Sequence, residues 1–128
     1  MNILNLIAGI LALMASIGHF TMGSKQFLHP ILELDTDNVP KKVMHSLFHY
    51  MSVFMVFTSL VLIICAFGAC NLFENCADVT KFIGITYLGM GIVQLIIAAT
   101  SGIKKGIFKL FQWIFWILIG ISALVGSF

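Results

Sequence analysis

The sequence predicts an all-α integral membrane protein, a four-helix bundle of up-down-up-down topology with both termini outside. Three observations carry that expectation. Charged residues make up only 9% of the chain, against about 25% in a soluble domain. Hydrophobic residues make up 60%, which demands a lipid solvent. Four apolar stretches, about residues 3–22, 43–67, 79–100 and 107–127, are separated by short loops. Each approaches the about 20 apolar residues that a helix needs to cross a hydrocarbon core about 30 Å thick. At 128 residues the chain is expected to form a single domain, 1–128.

The first span, Ile3 to Met22, resembles a secretory signal in position. No lysine or arginine precedes it, and Gly18-His19 interrupts the place of a cleavage site, so it is read as a retained helix. Ala8, Ala12, Ala15 and Gly18 recur at helical spacing and predict a face that approaches a neighbour closely. Residues 23–42 read as the first loop, with Phe27, Leu28, Ile31, Leu32 and Leu34 lying on the membrane surface and His29-Pro30 breaking any helix. Glu33, Asp35 and Asp37 hint at a calcium loop, but Val39 and Pro40 stand where such a loop needs a ligand and a glycine. The segment is therefore a solvated turn. Asp37 or Asn38 caps the next helix, with Pro40 in its first turn.

The second span is anchored by Lys41 and Lys42, and a second loop, 68–78, carries Cys70 and Cys76. Gln94 lies well inside the third span. The fourth begins near Ile107, with Lys109 and Gln112 in its first turns and Trp113 and Trp116 as interfacial anchors. Loops one and three hold Lys25, Lys41, Lys42, Lys104, Lys105 and Lys109, whereas the opposite side holds only Lys81. The positive-inside rule then makes loops one and three cytoplasmic and both termini external. The membrane expected is the bacterial inner membrane. Cys70 and Cys76 fall in the oxidising compartment, where a disulfide is expected. Cys65, inside the second span, is read as a small buried apolar residue.

The functional signal is a histidine cluster. His19 ends the first span, while His45 and His49 open the second, four residues apart and so on one helical face. His29 lies in the connecting loop, and Gln94 and Gln112 belong to the same half of the membrane. Imidazoles converging from facing helices are how bundles hold haem or metals, and neutral imidazole suits zinc, copper and iron. His19 and His49 are candidate haem ligands. His19, His45 and His49 are candidate ligands for a Cu, Zn or Fe ion, supported by Gln94 and Gln112. The alternative for each histidine is an interhelical hydrogen bond that fixes packing.

Gly18-His19 followed by Gly23, a proline in the loop, then Phe48-His49 with Ser52 resembles a group of small bacterial four-span proteins. In that group a Gly-His pair ends the first span and an aromatic-His pair opens the second. The resemblance covers the first half of the chain. It implies the four-span fold and favours His19 and His49, and it implies no activity. The group's first motif often continues with serine and ends in Gly-Glu, whereas Phe20-Thr21-Met22-Gly23-Ser24 stands here.

Several classes are disfavoured. The net charge is +2, with seven lysines and no arginine, which fits no nucleic-acid surface. A phosphate-binding GxxxxGK loop is missing, and the spans hold no carboxylate for a di-iron centre. A redox role for Cys70 and Cys76 lacks a CxxC pair. The competing readings are an accessory subunit of a larger membrane complex, and an oligomeric channel or transporter. Besides the lipid bilayer, partners are then further copies of the chain or that complex.

Overall fold

The computed structural model describes residues 1–70 and 73–128, and within them every regular element is helical. The expected second loop, 68–78, includes residues 71 and 72, which lie outside the described residues. α1 runs Ile3–Gly18 and continues without a break through a π-helical stretch, His19–Leu28, into the single turn α2, His29–Leu32. α3 is Asn38–Ala66, α4 is Cys76–Thr100, α5 is the turn Gly106–Lys109, and α6 is Gln112–Val125. Three helices, Ile3–Leu32, Asn38–Ala66 and Cys76–Thr100, are long and apolar enough to cross a membrane, and α6 is shorter.

Two expectations are corrected. The first helix does not end near Met22. It continues through His29-Pro30 to Leu32, because Pro30 occupies the opening turn of α2 where the winding changes, and a residue without an N–H is tolerated there. The fourth stretch is not one helix over 107–127. Its chain leaves helical geometry at Leu110, with φ −104° and ψ 55°. The Trp113 indole donates to the Ile107 carbonyl across that break at 3.0 Å. What remains, α6, has 14 residues, which at 1.5 Å per residue reach about 21 Å.

The start of α3 matches its sequence signals. Asp37 caps the helix by accepting the Val39 N–H at 3.0 Å, and Pro40 follows in the first turn. Asn75 caps α4 in the same way through the Ala77 N–H.

α1 packs on α3 and α6, and α4 packs mainly on α6. Asn2, ahead of α1, donates its backbone N–H to Ala66 at the end of α3 (2.7 Å) and its side-chain amide to Gly126 past the end of α6 (2.6 Å). The core is Ala8, Ala12, Val61, Leu62, Cys65, Ile83, Tyr87, Ile119 and Ala123. The small-residue face of α1 is buried at Ala8 and Ala12 as expected. Its tightest point is Gly9, where an added Cβ would stand 2.6 Å from Ile63 Cγ1. Gly18 is different, since a Cβ there would meet nothing within 4 Å.

The closest crossing joins α4 to α6. A Cβ on Gly84 would lie 2.8 Å from the Leu124 backbone nitrogen, and one on Gly120 would lie 2.9 Å from the Gly84 carbonyl oxygen. Each glycine thus meets opposing backbone, which cannot rotate aside. We expect Gly84→Val and Gly120→Val each to cost about 1–3 kcal/mol by overpacking. Gly89→Ala, where a Cβ meets nothing within 4 Å, is the internal standard and gains about 0.5–1 kcal/mol of helix propensity. Denaturant titration of helical circular dichroism measures all three, and equal behaviour of Gly84 and Gly89 variants contradicts the assignment.

Candidate functional site

The residues singled out in the sequence meet where the π-helical stretch crosses α3. His19 Nε2 lies 3.1 Å from the Phe48 carbonyl oxygen. A carbonyl only accepts, so Nε2 carries the hydrogen, and in a neutral ring Nδ1 presents a lone pair. The imidazole also stacks on the Phe48 ring, with centroids 3.9 Å apart and planes 16° from parallel. Ser52 Oγ donates to the same carbonyl at 3.1 Å. Phe48 therefore holds His19 by face and by carbonyl together, and Ser52 shares the second contact. Beside both rings, a Cβ added to buried Gly23 would stand 3.6 Å from His19 Nδ1 and 3.6 Å from Phe48 Cζ.

His45 and His49 come together on α3 as their spacing requires, with ring centroids 4.8 Å apart. His49 also meets the Phe48 ring edge-on at 5.6 Å. His45 is half-buried, while His49 and His29 are exposed. His19, His45 and His49 do not gather as a set of three donor atoms within 4.8 Å. Among the described residues the one such set is Cys65, Cys70 and Cys76.

Beside His19 lies a pocket of about 290 Å3 between the first helix, α3 and the start of α6. Met14, Met22 and Met55 line it with the aromatic rings of Phe27, Phe111, Phe115 and Trp116. Its polar lining comes from His19, Gln26 and Gln112. Gln112 Oε1 is buried and has no hydrogen-bond partner, a state that costs about 1–3 kcal/mol unless a ligand or water satisfies it. Of the expected site residues, the pocket thus collects His19 and Gln112, whereas His45, His49 and Gln94 are not part of its lining. A larger groove, about 440 Å3, runs along α3 from Asn38 to Tyr50. It is lined by that one helix, so nothing converges on it.

Two features were not legible beforehand. One is the π winding of His19–Leu28, a geometry that recurs at functional sites because the wide turn re-aims side chains. The other is Tyr87. Fully buried beneath the pocket, it touches Trp116 and Phe54 (centroids 5.7 and 5.6 Å) and shares a 2.8 Å hydrogen bond with Thr58. Thr58 Oγ1 also reaches the Phe54 carbonyl at 2.8 Å. When Thr58 donates there, Tyr87 is the donor to Thr58. Removing Tyr87's hydroxyl leaves Thr58 satisfied, but removing Thr58's leaves a phenol buried without a partner. Tyr87→Phe is expected to cost about 0.5–1.5 kcal/mol and Thr58→Val about 1–3 kcal/mol, measured by chemical unfolding. Reversal of that order would refute the donor assignment.

Comparison with protein-family models, with curated proteins and with solved structures finds no match in any of the three.

Proposed function

We propose that this chain is an integral membrane four-helix bundle of up-down-up-down topology that binds a small, largely apolar ligand at His19. The membrane part rests on where the polar atoms lie. Ile7, Ile10, Ile17, Val53, Phe57, Leu60, Phe82, Ile85 and Ile96 face outward, while Asn5, Ser16, Ser52, Ser59 and Thr80 are buried. A water-soluble bundle distributes these types the opposite way. The lysine asymmetry sets the His19 end in the cytoplasm and both termini and the Cys70–Cys76 pair outside, by the positive-inside rule. A bacterial inner membrane suits that arrangement.

The observation that carries the ligand reading is the presence of His19 and Gln112 together in the lining of one aromatic cavity. His19, its Nε2–H held by Phe48, offers Nδ1 as an acceptor, and Gln112 Oε1 is a second acceptor without a partner. Pockets of this kind fix orientation with a few polar atoms and take affinity from apolar walls. A molecule with an aromatic or short aliphatic body and a hydroxyl or amine hydrogen complements His19 Nδ1, and it meets Gln112 Oε1 when that buried amide turns toward the cavity. At about 290 Å3 the cavity has far more room than a bare ion needs.

A second reading is a transition metal at His19 with His45 and His49. It is favoured by the 4.8 Å approach of His45 to His49 and by the carbonyl contact of His19, since metal-binding imidazoles commonly donate their other N–H to a backbone carbonyl. Haem is the less suited form, because the His19 nitrogen remote from its own backbone is already engaged by Phe48.

One experiment separates them. Trp116 lines the pocket and is one of two tryptophans, so an alkylphenol that enters should quench emission saturably in detergent-purified protein. His19→Leu is expected to weaken that binding about 3- to 10-fold, the worth of one hydrogen bond, and His49→Ala to leave it unchanged. Absence of saturable quenching sinks the small-ligand reading. Stoichiometric Cu, Zn or Fe in the purified protein, lost in His49→Ala, would establish the metal reading instead.

A further inference from the structure

A second cluster of chemistry-bearing side chains lies at the other end of the bundle. Cys65 is buried in the last turn of α3, Cys70 follows that helix, and Cys76 is the first residue of α4. Their three Sγ atoms all lie within 4.8 Å of one another. Cys70 and Cys76 stand at disulfide distance, Cα to Cα 5.7 Å, and Cys65 is the free thiol beside them. A bridge needs two cysteines, and packing alone would accept alanine at the third.

We propose that the three cysteines form a soft-metal site, available when the Cys70–Cys76 bridge is reduced and withdrawn when it is formed, that takes a zinc or copper(I) class ion. Thiolate donors select such ions. With Zn–S near 2.3 Å, two sulfurs on one tetrahedral ion stand about 3.8 Å apart. Once the bridge is reduced, the Cys70 and Cys76 sulfurs move apart from bonding distance, and the 4.8 Å limit on the three sulfurs leaves Cys65 at most about 1 Å to close, within the reach of χ1 adjustment. Position helps as well. Three thiolates and one divalent cation carry a net negative charge, and Cys76 sets it at the N-terminus of a 25-residue helix, where backbone N–H groups favour anions and stabilise thiolates.

Access to the site is a two-electron step. A dithiol reductant delivers two electrons and two protons, the Cys70–Cys76 bond breaks to give two thiols, and the reductant leaves as its own disulfide. Metal binding then releases the three thiol protons to solvent. None of this involves His19 or Gln112, so it stands or falls independently of the ligand pocket.

The test uses the full chain in detergent and Cd2+ as the d10 probe, read through the thiolate-to-cadmium absorption band. Reduced protein should bind one Cd2+ per chain, and bridged protein should bind none. Reduced Cys65→Ala should bind at least about a hundredfold more weakly, beyond what loss of a merely supporting group costs. Retention of helical circular dichroism is the control for that variant. If Cys65→Ala fails it, Cys65→Ser, which keeps the side-chain volume, decides. No band in reduced wild-type protein, binding by the bridged form, or a smaller loss at Cys65 would each overturn the site.

Discussion

The backbone contact between Gly84 on α4 and Gly120 on α6 is the constraint on which the remaining packing depends. α6 has only 14 residues and is held along one side by α4 and along the other by α1. With no Cβ on either glycine, the two main chains approach to distances a side chain would forbid. Farther along the same crossing, Gly91 would place a Cβ 2.8 Å from Ile117 Cγ1. That approach lets Ile119 and Ala123 reach the core beside Ile83 and Tyr87. It also fixes the height of Gln112, Phe115 and Trp116, and so determines which side chains face His19.

On the opposite wall the fixed point is the Phe48 carbonyl. An α-helical carbonyl already accepts one bond from its own helix, and here Ser52 and His19 add to it. The ring of the same residue stacks on the imidazole, so His19 has little freedom to rotate. The π winding that begins at His19 moves each following side chain relative to an α-helix and brings Gly23 against the imidazole and the Phe48 ring tip. An alanine Cβ would still fit, since both distances are 3.6 Å. What Gly23 contributes is open volume beside Nδ1.

The parts of this arrangement visible in the sequence were those set by local chemistry. The cap at Asp37, the proline in the first turn of α3 and the one-turn spacing of His45 and His49 follow from rules that act over four residues. The stack of His19 on Phe48 joins residues 29 positions apart, and no periodicity reports it. His29-Pro30 read as a break because proline ordinarily ends a helix, and nothing in hydropathy distinguishes π from α winding. Gln112, expected in the same half of the membrane as His19, lines the same pocket. Gln94, chosen on the same argument, lies on a face of α4 that does not meet the pocket. Cys65 read as packing because composition cannot reveal that the turn after α3 brings Cys70 and Cys76 back over it.

The two ends of the molecule are chemically separate, and the middle explains why. Along α3 from the His19 pocket toward the cysteines come Met55, Thr58, Ser59 and Leu62, all buried, with Tyr87 set against Thr58 from α4. Ser59 bonds the Val56 carbonyl of its own helix at 2.8 Å, and Thr58 is closed off by Tyr87 and by the Phe54 carbonyl. Each polar atom in this layer is thus occupied locally, and the large side chains Tyr87, Met55, Leu62 and Ile119 fill the space around them. A conducting path needs consecutive polar groups free to exchange partners with a passing ion or proton. Among the described residues this layer offers no such series. A packed core thus divides the His19 pocket from the three cysteines.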